Sequence, residues 1–328
     1  MATAPNSPKT PKVVTDPDKP KGRTGRNLPA AIGVGAGLGG LVILTLFTVK
    51  ATFLAYMGIA IAIALAELTS ALAKRDINIP VIPVAAGGAA MVICAYWLGS
   101  RDTLAAFGKR AIAIPLIPIV AGGAAMVTCM YWLGARAALA ALALTVVVIF
   151  AWRLPGGPSG YVKDVTAGVF ALIYLPFMAT FVSAMLSPAD GARRVLTFII
   201  VTICSDIGGY FAGITLGRGG RHLMAPVISP KKTWEGFAGS VVACLIAGWL
   251  CVTLLLHGHA WQGLLTGAAV ALAAVLGDLV ESMIKRDLDI KDMGTLLPGH
   301  GGVLERLDSL LVAAPLVWLL LFLFIPAP

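Results

Sequence analysis

Between Ser282 and Asp308 the chain reads SMIKRDLDIKDMGTLLPGHGGVLERLD, with five acids, four basic residues and one histidine set between two long apolar runs. Ionisable groups at the edge of hydrocarbon are costly, so this density points to chemistry. The residue types suit phosphate handled with a hard cation. Carboxylates hold Mg²⁺, Lys and Arg hold phosphate, and the Gly301-Gly302 pair lets backbone approach a ligand.

Asp278 and Glu281 lie just upstream, three residues apart, and share one face of a helix. Asp278 is the first candidate metal ligand, while for Glu281 plain ion pairing is an equal reading. Glu305, Arg306 and Asp308 open the last apolar run, where acids also suit a helix N-terminus. The preceding Gly299-His300-Gly301-Gly302 offers backbone N–H groups to phosphate, and His300 can bond phosphate or move a proton.

Two more clusters lie upstream. In Ser229-Pro230-Lys231-Lys232-Thr233-Trp234-Glu235-Gly236 the lysines give point charges for a triphosphate. Thr233 is placed to cap the following helix, and Glu235 favours its first turn. In Ser205-Asp206-Ile207-Gly208-Gly209-Tyr210 the carboxylate falls inside an apolar run, which is expensive unless it faces a polar cavity. Glu67 is also intramembrane, but it has no motif partner, and a structural role is the better reading.

The 282–308 pattern, S-x-x-K-R-x4-K-D-x-G-x2-L-P-x-H-G-G-x2-acid-R-x-D, resembles the signature of phosphatidate cytidylyltransferases. These enzymes make CDP-diacylglycerol and pyrophosphate from CTP and phosphatidic acid. Every fixed position matches except Glu305, where the family has Asp. The S-P-K-K run and Asp206, Tyr210 and Gly213 are similar to two further family elements. The resemblance covers roughly residues 28–328 and is strong from 205 to 308.

The resemblance implies a catalytic set of Asp278, Lys285, Arg286, Lys291, Asp292, His300, Arg306 and Asp308. Asp206, Ser229, Lys231, Lys232, Gly301 and Gly302 would bind CTP and phosphate. Mg²⁺ would sit on Asp278 and Glu305, with room for a second ion, monovalent or divalent. At Glu305 the extra methylene would displace the ion by about an ångström, which can cost about a hundredfold in rate. A homodimer in the inner (plasma) membrane, with catalytic loops in the cytoplasm, is also implied.

Two rival readings are weaker. A secondary transporter could use Asp206, Glu67 and an internal repeat, but transport gives no reason for S-P-K-K together with K-D and H-G-G. A polyprenol or phytol kinase-like enzyme shares the nucleotide chemistry but should not match residues 282–308 so fully.

The elements that must position these groups are membrane helices. The chain is 58% hydrophobic and 12% charged, about half the charge of a soluble domain. The expected fold is all-α, a polytopic bundle of about nine spans plus one duplicated segment. Apolar runs of about 20 residues fall at 28–48, 52–73, 80–99, 112–134, 136–152, 165–187, 195–216, 236–257, 260–281 and 303–326. Residues 1–27 carry five prolines and six Lys or Arg and read as a disordered basic cytoplasmic tail. Residues 28–194 form an N-terminal helical region and 195–328 the catalytic region. The net charge of +9 is spread over loops, which suits an anionic membrane surface and argues against nucleic acid. The five cysteines lie in apolar runs without C-x-x-C spacing and read as small hydrophobes.

Residues 74–106 recur almost unchanged as 109–141, an offset of 35 residues that marks a local duplication. One extra full crossing would turn the basic loops at 217–235 and 282–302 outward, against the positive-inside rule. A non-inverting arrangement of the second copy is therefore expected.

Overall fold

A computed structural model describes residues 28–98, 137–217, 222–294, 296 and 301–326. The tail, Arg218, Arg221, His300 and the second copy at 112–134 lie outside the described residues, as do the side chains of Lys231 and Trp97.

The helices are α1 (Leu28–Thr48), α2 (Lys50–Ala73), α3 (Val81–Leu98), α4 (Ala137–Arg153), α5 (Tyr161–Leu172), α6 (Met178–Leu186), α7 (Gly191–Thr215), α8 (Trp234–Leu255), α9 (Ala260–Asp287) and α10 (Leu304–Phe324). A π-helical turn, Ile173–Phe177, joins α5 to α6 around Pro176, whose missing N–H cannot continue the α-ladder. Among the described residues, six helices are long and apolar enough to cross a membrane: α2, the α5–α6 unit, α7, α8, α9 and α10. Shorter apolar helices lie in α1, α3 and at 140–156. The all-α expectation holds for the bundle, with one addition. Strands β1 (Leu223–Ala225) and β2 (Ser229–Thr233) form an antiparallel hairpin, with Leu223 opposite Thr233 and Ala225 opposite Ser229.

Small residues bring the catalytic helices together. A side chain on Gly208 of α7 would overlap Gly239 of α8, and one on Gly277 of α9 would meet the Asp308 carbonyl of α10. With lipid as solvent, such close backbone approach supplies the packing energy that burial alone cannot.

Polar ties mark the two ends of the bundle. At one end Arg153 pairs with Asp164 at 2.7 Å, Asp164 accepts the Asn78 N–H at 2.8 Å, and Arg75 reaches Asp289. At the other, Arg194 pairs with Asp190 and donates to the Ile325 carbonyl at 2.9 Å, while Gln262 donates to the Phe324 carbonyl. Helices α3 and α4 run antiparallel. Gly168 of α5 faces both Pro80, just before α3, and Ile149 near the end of α4, whereas Gly87 faces Thr145. The end of α3 and the start of α4 therefore lie on the same side of the bundle. Trp152 is exposed in the last turn of α4, as expected of an interfacial aromatic.

Gly122 and Gly123 stand in the second copy where Gly87 and Gly88 stand in the first. Deleting residues 79–113 should let the second copy replace α3 against Thr145 and Pro176. The shortened chain is expected to insert and melt within a few degrees of the parent in detergent. A collapse in folded yield would mean that the two copies are not interchangeable.

Candidate active site

The site forms where α7, the hairpin, α8, α9 and α10 meet. Thr233 caps α8, its hydroxyl accepting the Gly236 N–H at 3.1 Å. Glu235 in the first turn bonds His222 across the hairpin mouth at 2.6 Å. The hairpin is held to α9 by the Arg286 guanidinium, which donates to the Ile228 carbonyl at 3.2 Å. This geometry aims Lys232 at α9, where its ammonium sits 2.6 Å from an Asp278 oxygen and 3.4 Å from the Val275 carbonyl.

A second ion cluster lies one turn along α9. Lys285 bonds Glu281 at 2.6 Å and Glu305 at 3.1 Å, joining α9 to the start of α10. Glu281 is 1% exposed, and its other oxygen, Oε1, has no hydrogen-bond donor among the described residues. Ser282 donates to Asp278 at 3.3 Å.

Lys232, Asp278, Glu281, Lys285 and Glu305 line one cavity of about 530 Å³. Of the site residues expected from sequence, Asp206, Ser229, Lys232, Asp278, Lys285, Asp292, Glu305, Arg306 and Asp308 all face it. Asp206 thus has the polar cavity that its place in an apolar run demands. Asp308, 9% exposed, lies within electrostatic range of Asp278, Glu281 and Asp206. Sequence reasoning left Glu281 undecided; it lines the cavity and anchors Lys285.

Other residues are placed differently. Arg286 holds the hairpin instead of facing the cavity, and Lys291 is exposed outside it. Gly301 adopts φ of 82°, a conformation that favours glycine, but neither it nor Gly302 lines the cavity. The Gly302 N–H is not offered to phosphate; it donates to Glu305 Oε2 at 2.8 Å. Glu305, expected as the second metal ligand, has one oxygen on Lys285 and the other on this N–H. Its extra methylene is what lets it reach back over its own helix start.

Does the donor set fit a divalent ion? Among the described residues, six acids line the cavity (Asp206, Asp278, Glu281, Asp292, Glu305 and Asp308) against three bases (Lys232, Lys285 and Arg306). An acid excess would repel phosphates unless a cation offset it. Among the described residues no three His, Cys, Asp or Glu side chains converge as a cage. Mg²⁺ would not need such a cage, since it binds one or two carboxylates and fills its shell with water and substrate phosphate.

Facing acids and amines in a cavity at the edge of an apolar bundle define an integral-membrane protein equipped for phosphate-bearing substrates. The chain belongs to the cytidylyltransferase family, which it matches over residues 30–324. It is 37% identical to a Mycobacterium bovis phosphatidate cytidylyltransferase over 92% of this chain and 90% of that protein. The Mycobacterium leprae phosphatidate cytidylyltransferase is also 37% identical, over 92% of this chain and 89% of that protein. A Staphylococcus epidermidis phosphatidate cytidylyltransferase is 38% identical over 40% of this chain and 50% of that protein.

The first turn of α8 depends on the Thr233 cap. Thr233→Val keeps the shape and removes the acceptor, at a cost of about 1 kcal/mol. Amides of residues 234–237 should exchange several-fold faster with the rest of the chain unchanged. Equal exchange rates in the two proteins would show that the hydroxyl is not what holds the start of α8.

Proposed function

We propose that this protein transfers the cytidylyl group of CTP to phosphatidic acid, giving CDP-diacylglycerol and pyrophosphate. One observation carries the reading: the S-P-K-K hairpin and the 278–308 signature, far apart in sequence, meet across one cavity through Lys232 and Asp278. The family membership and the names of the relatives support the substrate pair. The duplicated segment is one helix long and gives no support to a transporter.

A phosphate oxygen of the lipid attacks the α-phosphorus of CTP, and the bond to the bridging oxygen of pyrophosphate breaks. The nucleophile is already anionic, so no general base is required. The protein's task is to align two anions and offset their charge. Lys232, presented by the hairpin, meets the triphosphate, with Ser229 beside it. Lys285 and Arg306, on the facing helices, take the lipid phosphate and the growing charge on the leaving group. Asp206 keeps the α7 wall polar.

Asp278 and Asp308 are the residues proposed to hold Mg²⁺, which when bound would offset phosphate charge and polarise the α-phosphate. Glu305 instead braces α10 through Lys285 and Gly302. This departs from the sequence expectation because both Glu305 oxygens are already engaged, whereas Asp308 faces the cavity and accepts the adjacent Ser309 N–H through one oxygen. The proposal extends to a homodimer in the plasma membrane with the cavity on the cytoplasmic side, where CTP is. The positive-inside bias of Lys285, Arg286 and Lys291 supports that orientation.

The direct test is CTP- and phosphatidate-dependent release of pyrophosphate by the purified chain in detergent. Asp278→Ala should insert normally and lose at least a hundredfold in kcat; near-normal product from this variant would sink the proposal. Glu305→Asp distinguishes the two assignments of that residue. As a brace it should gain nothing on shortening, and kcat should stay level or fall. A rise of about tenfold in Mg²⁺ would return Glu305 to the metal, since misplacement by a methylene costs on that scale.

A further inference from the structure

We propose that Glu67 is a positioning residue for this site, acting from the other half of the chain; the inference rests on the reading above for the reaction it serves. Glu67 lies in the last two turns of α2, between Ala66 and the fully buried Leu68. A carboxylate in such a helix is expensive unless its oxygens are met. Here Oε1 accepts the Val303 N–H at 3.0 Å and Oε2 accepts the Leu304 N–H at 2.9 Å.

Those two N–H groups open α10, and a helix start leaves its first donors without intrahelical partners. α10 has no side-chain cap at Val303. Glu67 supplies the missing acceptor from more than two hundred residues upstream. The neighbouring Gly302 N–H goes to Glu305. Three successive donors, at 302, 303 and 304, are therefore shared between two carboxylates, one from α2 and one from α10 itself. A negative charge at this end of a helix is also favoured by its dipole.

The loop closes around the same carboxylate. A Cβ at either Gly294 or Gly302 would overlap the Glu67 side chain, so both arms of the signature loop pack against it. Glu67 itself does not line the cavity, whereas Glu305, Arg306, Asp308 and Ser309 do. Fixing the first turn of α10 fixes where those four side chains point. Glu67 therefore acts through them and touches no reacting atom.

Glu67→Gln keeps the length but turns one acceptor into a donor, so either Val303 or Leu304 loses its partner. The full chain in detergent, examined by peptide-level hydrogen exchange and steady-state kinetics, provides the test. In Glu67→Gln, amides 301–306 should exchange about tenfold faster, while α7 and α8 keep the parent's protection. kcat should fall about tenfold or more, with KM for CTP changed by less than about threefold, and Glu67→Asp should recover part of the loss. Unchanged exchange over 301–306 overturns the proposal. So does a loss of activity that follows a general loss of protection across all helices, which is how a merely structural residue would behave. A parent protein that makes no CDP-diacylglycerol would defeat the functional reading, and the exchange experiment would still judge the Glu67 clamp.

Discussion

Everything at the site depends on paying for carboxylates at the edge of a bilayer. Asp278, Glu281, Glu305 and Asp308 converge where two apolar helices meet, and each must be paired or solvated. Lys232 and Lys285 meet three of the four, and in doing so they set the architecture. Lys232 draws the hairpin onto α9, and Lys285 ties α9 to α10. The ion pairs that keep these acids tolerable are also the links that hold the cavity walls together.

That arrangement needs helices close enough for short side chains to meet. Glycines at the α7–α8 and α9–α10 crossings permit it, because at Gly208 and Gly277 any larger side chain would drive the backbones apart. A wider crossing at Gly277 would move Asp308, whose own carbonyl forms the contact. Packing and site geometry are therefore coupled at single positions, and the small residues of α9 belong to the site as much as its acids do. The opposite end of the bundle is tied separately, by buried Arg194 on Asp190 and on the carbonyl of Ile325.

Much of this was legible in the sequence, for identifiable reasons. The apolar runs predict α1 to within a residue and the other described helices less closely, with α9 running six residues past its apolar run to Asp287, because hydrocarbon thickness fixes the apolar stretch and not the charged helix end beyond it. The acids and bases clustered at 278–308 pointed to the cavity because charge near hydrocarbon rarely lacks a reason. Asp206 was readable alone on the same ground. The hairpin was not legible: Ser-Pro-Lys-Lys-Thr shows no apolar alternation, and its strand character comes from pairing with Leu223–Ala225 and from the turn between them. The partners of Glu67 were not legible either, since a bond to backbone N–H groups leaves no motif and the partner lies in the other half of the chain. Glu305 shows a third kind of limit. Its residue type and position suited a metal ligand, yet the reach of its side chain decides what it touches, and it turns back to Gly302.

The charges give the last step. Among the described residues six acids and three bases line the cavity, and both proposed substrates are anions. With Lys232 and Lys285 engaged by their own acids, the described lining on its own disfavours the anions it is proposed to bind. Asp278, with a divalent cation bound, would no longer need Lys232, which could then turn to phosphate. Lys285 differs, because it is shared between Glu281 on its own helix and Glu305 on α10 and so adds a tie between the two. The two lysines therefore divide the work by their partners: the amine on the hairpin is free to follow the nucleotide, while the amine on α9 keeps the walls in register and has one N–H left for phosphate.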